Sequence, residues 1–190
     1  MDGNLKLNFL SKFLISLVIL YSGLSIGYSS VDTESFSLDY DSDIYIYRNI
    51  AKEGIEGICN SDHRCTRIAI PLAAHGLSKI NPLEGKFNSP RFNIFVVNII
   101  IFYITVISLF WFASKRYNVE IASITIVFFF THFMTINLFF YGVADSLEFL
   151  LSILLFIILF EKKYIYLIPL FAIAAINKET FLIFAVPILI

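Results

Sequence analysis

The chain has 190 residues, of which 58% are hydrophobic and only 15% charged, with a formal net charge of −1. Soluble domains average about 45–50% apolar and about 25% charged, so this composition is that of a membrane protein. The near-neutral balance and the lack of a basic run exclude nucleic acid and other polyanions as partners.

The first element is an apolar run from Phe9 to Tyr28, long enough for a bilayer core that takes about 20 residues. Lys6 and Lys12 at its start favour a cytoplasmic N-terminus. "SIGYSS" offers no clear small-x-small cleavage site, so an uncleaved helix over 1–28 is favoured over a signal peptide.

Residues 29–92 form the one long polar region and hold most of the acids. Cys59 and Cys65 lie within it. A small loop-closing disulfide and two free thiols stay equally open, and with only His63 between them a zinc site is not expected.

The membrane part, 93–190, continues with a second span from Phe92 to Ala113, closed by Lys115 and Arg116. A third runs from Ile121 to Phe140, with Glu120 at its entry, and a fourth from Leu147 to Phe160, closed by "EKK". The clusters Lys115/Arg116 and Lys162/Lys163 fall on the N-terminal side of the membrane, and the acidic loop and Asp145 on the other. Tyr164 to Ile176 is apolar but short, about 20 Å of helix. "NKET" then leads into "FLIFAVPILI", placing Lys178 and Glu179 at or within the hydrocarbon edge, where ionisable groups face an interior or a watery cavity. That apolar ending, with no polar tail, is expected of a truncated bundle.

The stretch "SLDYDSDIYIYRNIAKEG" sets Asp39, Asp41 and Asp43 at alternate positions. An EF-hand loop fails, because Ile44 stands where glycine is needed and Ile50 where a bidentate glutamate is needed. Asp43, Tyr47 and Ala51 recur every four residues, so a short helix is expected to start at Asp43. A solvated turn and a carboxylate acting as base or metal ligand both fit. In "HRCTRIAIPLAAHGLSKI", Arg64 and Arg67 precede an amphipathic stretch broken by Pro71; a helix lying on the bilayer and a phosphate-binding pair both suit it. His75 reads as a helix-surface residue and His132 as a hydrogen-bonding partner between helices. Asp145 and Glu148 read as a capping box for the fourth span.

In this order, "DSDIYIYRNIAKEG", "RCTRIAIPL", "ADSLEFLL" and "INKETFLIFAVPIL" resemble the N-terminal half of a GT-C type glycosyltransferase, a polytopic enzyme using polyprenyl-phosphate sugars. Asp43, Tyr47, Ala51 and Gly54 match its loop element, Arg67 and Pro71 its Arg-x-x-x-Pro element, and Lys178, Glu179 and Thr180 its Lys/Arg-Glu-Thr element. The resemblance implies an all-α polytopic bundle of five or six segments, with a large first external loop containing short helices. It implies Asp43 or Asp41 as general base, and Arg64, Arg67, Asp145, Lys178 and Glu179 as substrate-binding residues. A divalent metal, magnesium or manganese, on Asp39, Asp41 and Asp43 stays an open option. The expected partners are a polyprenyl-phosphate sugar donor, membrane lipid, and a C-terminal portion or subunit completing the bundle. The expected location is a bacterial cytoplasmic membrane, multi-pass. A transporter or lipid flippase and a non-catalytic fragment are the alternatives; the long carboxylate-rich loop favours the enzyme.

Overall fold

A computed structural model describes residues 21, 43–57, 67–82, 88–131 and 145–177. Every regular element among the described residues is helical, as the all-α expectation requires.

Helix α1 spans Asp43–Glu53 and starts where the four-residue repeat places it. Tyr47, Ile50 and Ala51 are buried, so the repeat marks its packing face. Gly54 ends it with φ +71° and leads into a 3-10 turn, Gly54–Gly57. Only glycine takes that conformation without steric cost, which is why the helix stops there.

Helix α2 spans Ala69–Ile80. Pro71 lies in its first turn, where an amide has no intrahelical partner and a missing N–H costs nothing. The expectation that Pro71 breaks this stretch is therefore corrected: it sits at the start of an unbroken helix. His75 reaches across to α1, its Nδ1 lying 3.3 Å from the Ala51 carbonyl. The ring packs so closely over Gly54 that a Cβ there would meet Nε2 at 2.8 Å.

Helix α3 spans Pro90–Arg116, 27 residues and about 40 Å long. Ser89 caps it, its hydroxyl accepting from the Phe92 amide at 3.3 Å, and Pro90 fits the first helical position. Among the described residues it is the helix long and apolar enough to cross a membrane. Only 33% of its most apolar window is buried in the protein, whereas a soluble core helix would be mostly covered. Helix α4, Val119–Thr131, starts where Asn118 Oδ1 accepts from the Ile121 amide at 2.7 Å. The rest of the expected third span lies outside the described residues.

Helix α5 spans Ser146–Phe160. A 3-10 turn, Tyr164–Tyr166, then reverses the chain into α6, Leu167–Asn177. With 11 residues α6 is about 17 Å long, as short as its sequence implies.

One core joins the polar region to the long helices: Tyr47 and Ala51 of α1, Ile70 and Ala74 of α2, Ile94 and Phe102 of α3, Ile126 of α4 and Leu150 of α5. Phe129 of α4 stacks between Phe102 and Phe149, with centroids 6.1 and 5.7 Å away. A second cluster, Leu151, Leu155, Leu170 and Ala174, seats α6 on α5. The bundle has two distinguishable ends. At the head, α1 and α2 pack on the first turns of α3, beside the start of α5 and the end of α6. At the foot, Lys115 and Arg116 both bond Glu161, so the two basic clusters meet there as their alternation implied.

Candidate functional site

The head holds a charge pair that no local pattern places. Arg67, just before α2, sets Nη1 3.5 Å from Asp145 Oδ1, and both side chains are part-buried. This corrects the capping-box reading. Asp145 has helical dihedrals, φ −84° and ψ −11°, and its side chain makes no cap hydrogen bond. An N-cap carboxylate reaches its amides from extended backbone; from a helical one it points away, here toward Arg67.

The next residue anchors the same junction from inside. Ser146 is fully buried and its hydroxyl donates to Asn98 Oδ1 on α3 at 2.6 Å. One and a half turns nearer the start of α3, buried Asn93 donates to Asn88 Oδ1 at 3.0 Å, and Asn81 donates back to Asn93 at 3.5 Å. Buried amides cost several kcal/mol when left unpaired, about 2–7 by transfer, so this network fixes how α2, α3 and α5 meet.

Two further cations belong to this end. The Arg48 guanidinium on α1 is held below its ordinary value, first by burial and then by the neighbouring charge of Arg91 in the first turn of α3. Arg48 Nε is buried and has no hydrogen-bond partner among the described residues. Neither residue stands in a motif, and only Arg91 carries a signal of its own: a basic residue in the first turn of a helix opposes the macrodipole, which favours acids there.

Asn177 closes the head. It is 1% exposed, and its Oδ1 has no hydrogen-bond partner among the described residues. Since Leu170 and Ala174 pack on Leu155 and Leu151, one more turn of the antiparallel pair carries Asn177 to the level of the start of α5. It directly precedes Lys178 and Glu179.

Of the expected site residues, Arg67 and Asp145 are brought together, and the backbone of Asp43 begins α1. Asp39, Asp41, Arg64, Lys178, Glu179, Cys59, Cys65 and His132 lie outside the described residues. Among the described residues no group of three or more His, Cys, Asp or Glu is placed to hold a metal. Of the loop element, Tyr47, Ala51 and Gly54 form the packing face of α1. His75 is half-buried against α1 and bonded there, more than a surface residue.

No family model matches the chain, and no curated protein or solved structure matches it significantly.

Proposed function

We propose that the chain is the N-terminal portion of a multi-pass membrane glycosyltransferase, moving a sugar from a polyprenyl-phosphate donor to an acceptor on the external face. The observation that carries this reading is the Arg67–Asp145 pair, which joins two separated motifs at one end of the bundle. α1 and the end of α6, just before Lys178 and Glu179, belong to that same end.

The membrane placement draws on the surface. Ile100, Ile104 and Ile107 of α3, Ile124 and Phe128 of α4, Phe156 of α5, and Ile168 and Ile173 of α6 are all exposed. Apolar exteriors of that extent need lipid or partners to cover them. The foot, with its four cations, would be cytoplasmic and the head external.

The chemistry follows from the residue types. The acceptor oxygen attacks the anomeric carbon, the bond from that carbon to phosphate oxygen breaks, and the phosphate leaves with the electron pair. The acceptor proton passes to a carboxylate, Asp43 or Asp41, a general-base contribution typically of about 10²–10⁴-fold. The departing phosphate gains charge that fixed cations stabilise without reorganising. Arg67, Arg64 and Lys178 would serve, with Arg48 and Arg91 adding to the positive field. A magnesium or manganese ion on Asp39, Asp41 and Asp43 would add further charge neutralisation; hard cations take oxygen ligands.

The test is sugar transfer in membranes carrying the longest available reading frame, with radiolabelled polyprenyl-phosphate sugars. Asp43→Asn is expected to abolish transfer at unchanged protein level, and Glu179→Gln to reduce it. Transfer indifferent to both changes, or none with any donor, would favour the transporter or fragment readings.

A further inference from the structure

The foot of the bundle carries an apolar groove of about 370 Å³ between α3, α4 and α5. Leu109, Phe112 and Ala113 line one side, Thr125 the second, and Ser152 and Phe156 the third. Tyr117, largely exposed, also lines the groove, and the two small hydroxyls there are bonded within their own helices. The Thr125 hydroxyl donates to the Ile121 carbonyl at 2.9 Å, and that of Ser152 to the Glu148 carbonyl at 2.9 Å. What faces the groove is thus mostly hydrocarbon and ring, and the volume lies at the small end of ligand pockets, about 300–1,000 Å³.

Charge gathers at one rim. Phe112 meets Phe156 and Phe160 edge-on at 5.9 and 5.8 Å, building an aromatic wall. The Arg116 guanidinium covers that wall, 5.8 Å from the Phe112 ring and 5.5 Å from that of Phe160. Lys115 lies over Trp111 at 5.0 Å. Four cations, Lys115, Arg116, Lys162 and Lys163, stand at this end against two carboxylates, Glu161 and Glu120. Glu161 is taken up by Lys115 and Arg116. Lys162 and Lys163 are exposed and make no ion pair among the described residues.

We propose that this groove binds an anionic glycerophospholipid, one acyl chain lying between α3, α4 and α5 and the headgroup phosphate drawn to the cations of the same end, Lys162 and Lys163, which follow α5. The apolar lining suits a chain and excludes a polar solute. The unmatched positive charge at this end selects an anionic headgroup over a zwitterionic one, because each cation at such a surface favours it by Coulomb attraction. The site rests on the membrane placement above and not on glycosyl transfer. Loss of sugar transfer with lipid binding intact would leave it standing.

The experiment uses the full chain purified in detergent, with its melting temperature followed as phosphatidylglycerol or phosphatidylcholine of the same chains is added. Phosphatidylglycerol is expected to raise the melting temperature saturably, and phosphatidylcholine to do so far less. Lys162→Gln with Lys163→Gln is expected to weaken the phosphatidylglycerol response about 30-fold, leaving the lipid-free melting temperature unchanged. Thr125→Phe, at an exposed position, is expected to fill the groove and abolish the shift. Equal responses to the two lipids, or wild-type affinity in the lysine double variant, would overturn the site. So would a concentration-dependent dimer broken by Thr125→Phe without any lipid effect, since the occupant would then be a second copy. Retention of the full chain in carbonate-washed membranes separates failure of the membrane placement from failure of the groove.

Discussion

Arg67 and Asp145, seventy-eight residues apart in the chain, meet at 3.5 Å where the polar region joins the start of α5. The pair fastens the segment that carries Arg67 to the apolar helix α5 beyond Asp145. Either charge removed alone leaves the other part-buried beside helix ends, so the two act as a unit.

A double-mutant cycle measures that unit. Arg67→Ala and Asp145→Ala are each expected to lower stability by about 1 kcal/mol, with a coupling of similar size, the upper range for a pair that solvent still reaches. In the transfer reaction proposed above, activity is expected to fall at least tenfold in either single variant, and Arg67→Lys to restore stability better than activity, since a point charge does not reproduce the planar fork. Additive stabilities in chemical denaturation would show the contact to be energetically idle.

Gly54 carries two constraints, and they separate by mutation. Gly54→Ala is expected to destabilise by about 1–3 kcal/mol, partly from the positive φ and partly from the clash with His75. Adding His75→Ala removes the clash and leaves the backbone term, so the double variant is expected to recover part of the loss against His75→Ala alone. Thermal melts of the four proteins read this directly.

Asn98→Leu leaves the buried Ser146 hydroxyl without its acceptor and is expected to cost about 1–3 kcal/mol. Ser146→Ala in the same chain removes the stranded donor, so the double variant is expected to be more stable than Asn98→Leu by itself. Hydrogen exchange at the first turns of α5 is the local readout.

The Glu161 latch at the foot depends on pH. The hydrogen bond from Lys115, with help from Arg116, holds the Glu161 carboxyl below its ordinary 4.5. A lowered folded value means the unfolded chain binds the proton more readily, so the stabilisation is complete above 4.5 and disappears as pH falls through the folded value. The difference in melting temperature between wild type and Glu161→Gln is therefore expected to be constant at neutral pH and to close below 4.5. A pH-independent difference would show that Glu161 acts through shape alone.

What the sequence disclosed depended on the range of the interaction. The start of α1 at Asp43 and the shortness of α6 followed from periodicity and from counting apolar residues, both local properties. That Lys115/Arg116 and Lys162/Lys163 share one end was expected from the alternation of charge between successive apolar segments, whereas the bonds of Lys115 and Arg116 to Glu161 were not. Asp145 was misread because the pattern with Glu148 is a true capping signal, and the choice between amide and Arg67 is made by a contact from another part of the chain. Pro71 was misread for a nearer reason: the same residue that ends a helix inside it is neutral in the first turn. Asn98 and Ser146 lie in unlike segments, and nothing short of the packed helices reveals that one accepts from the other.

The separation of Arg67 from Asp145 also sets an order in time. At about 5–20 residues per second, the ribosome delivers Asp145 some 4–16 seconds after Arg67, while Ile94 and Phe102 of α3 arrive within the first half of that wait. The greasy contact between α1, α2 and α3 is thus open to the growing chain before the electrostatic one exists. A translation pause between α3 and α5 would lengthen the interval before the Arg67–Asp145 contact can form.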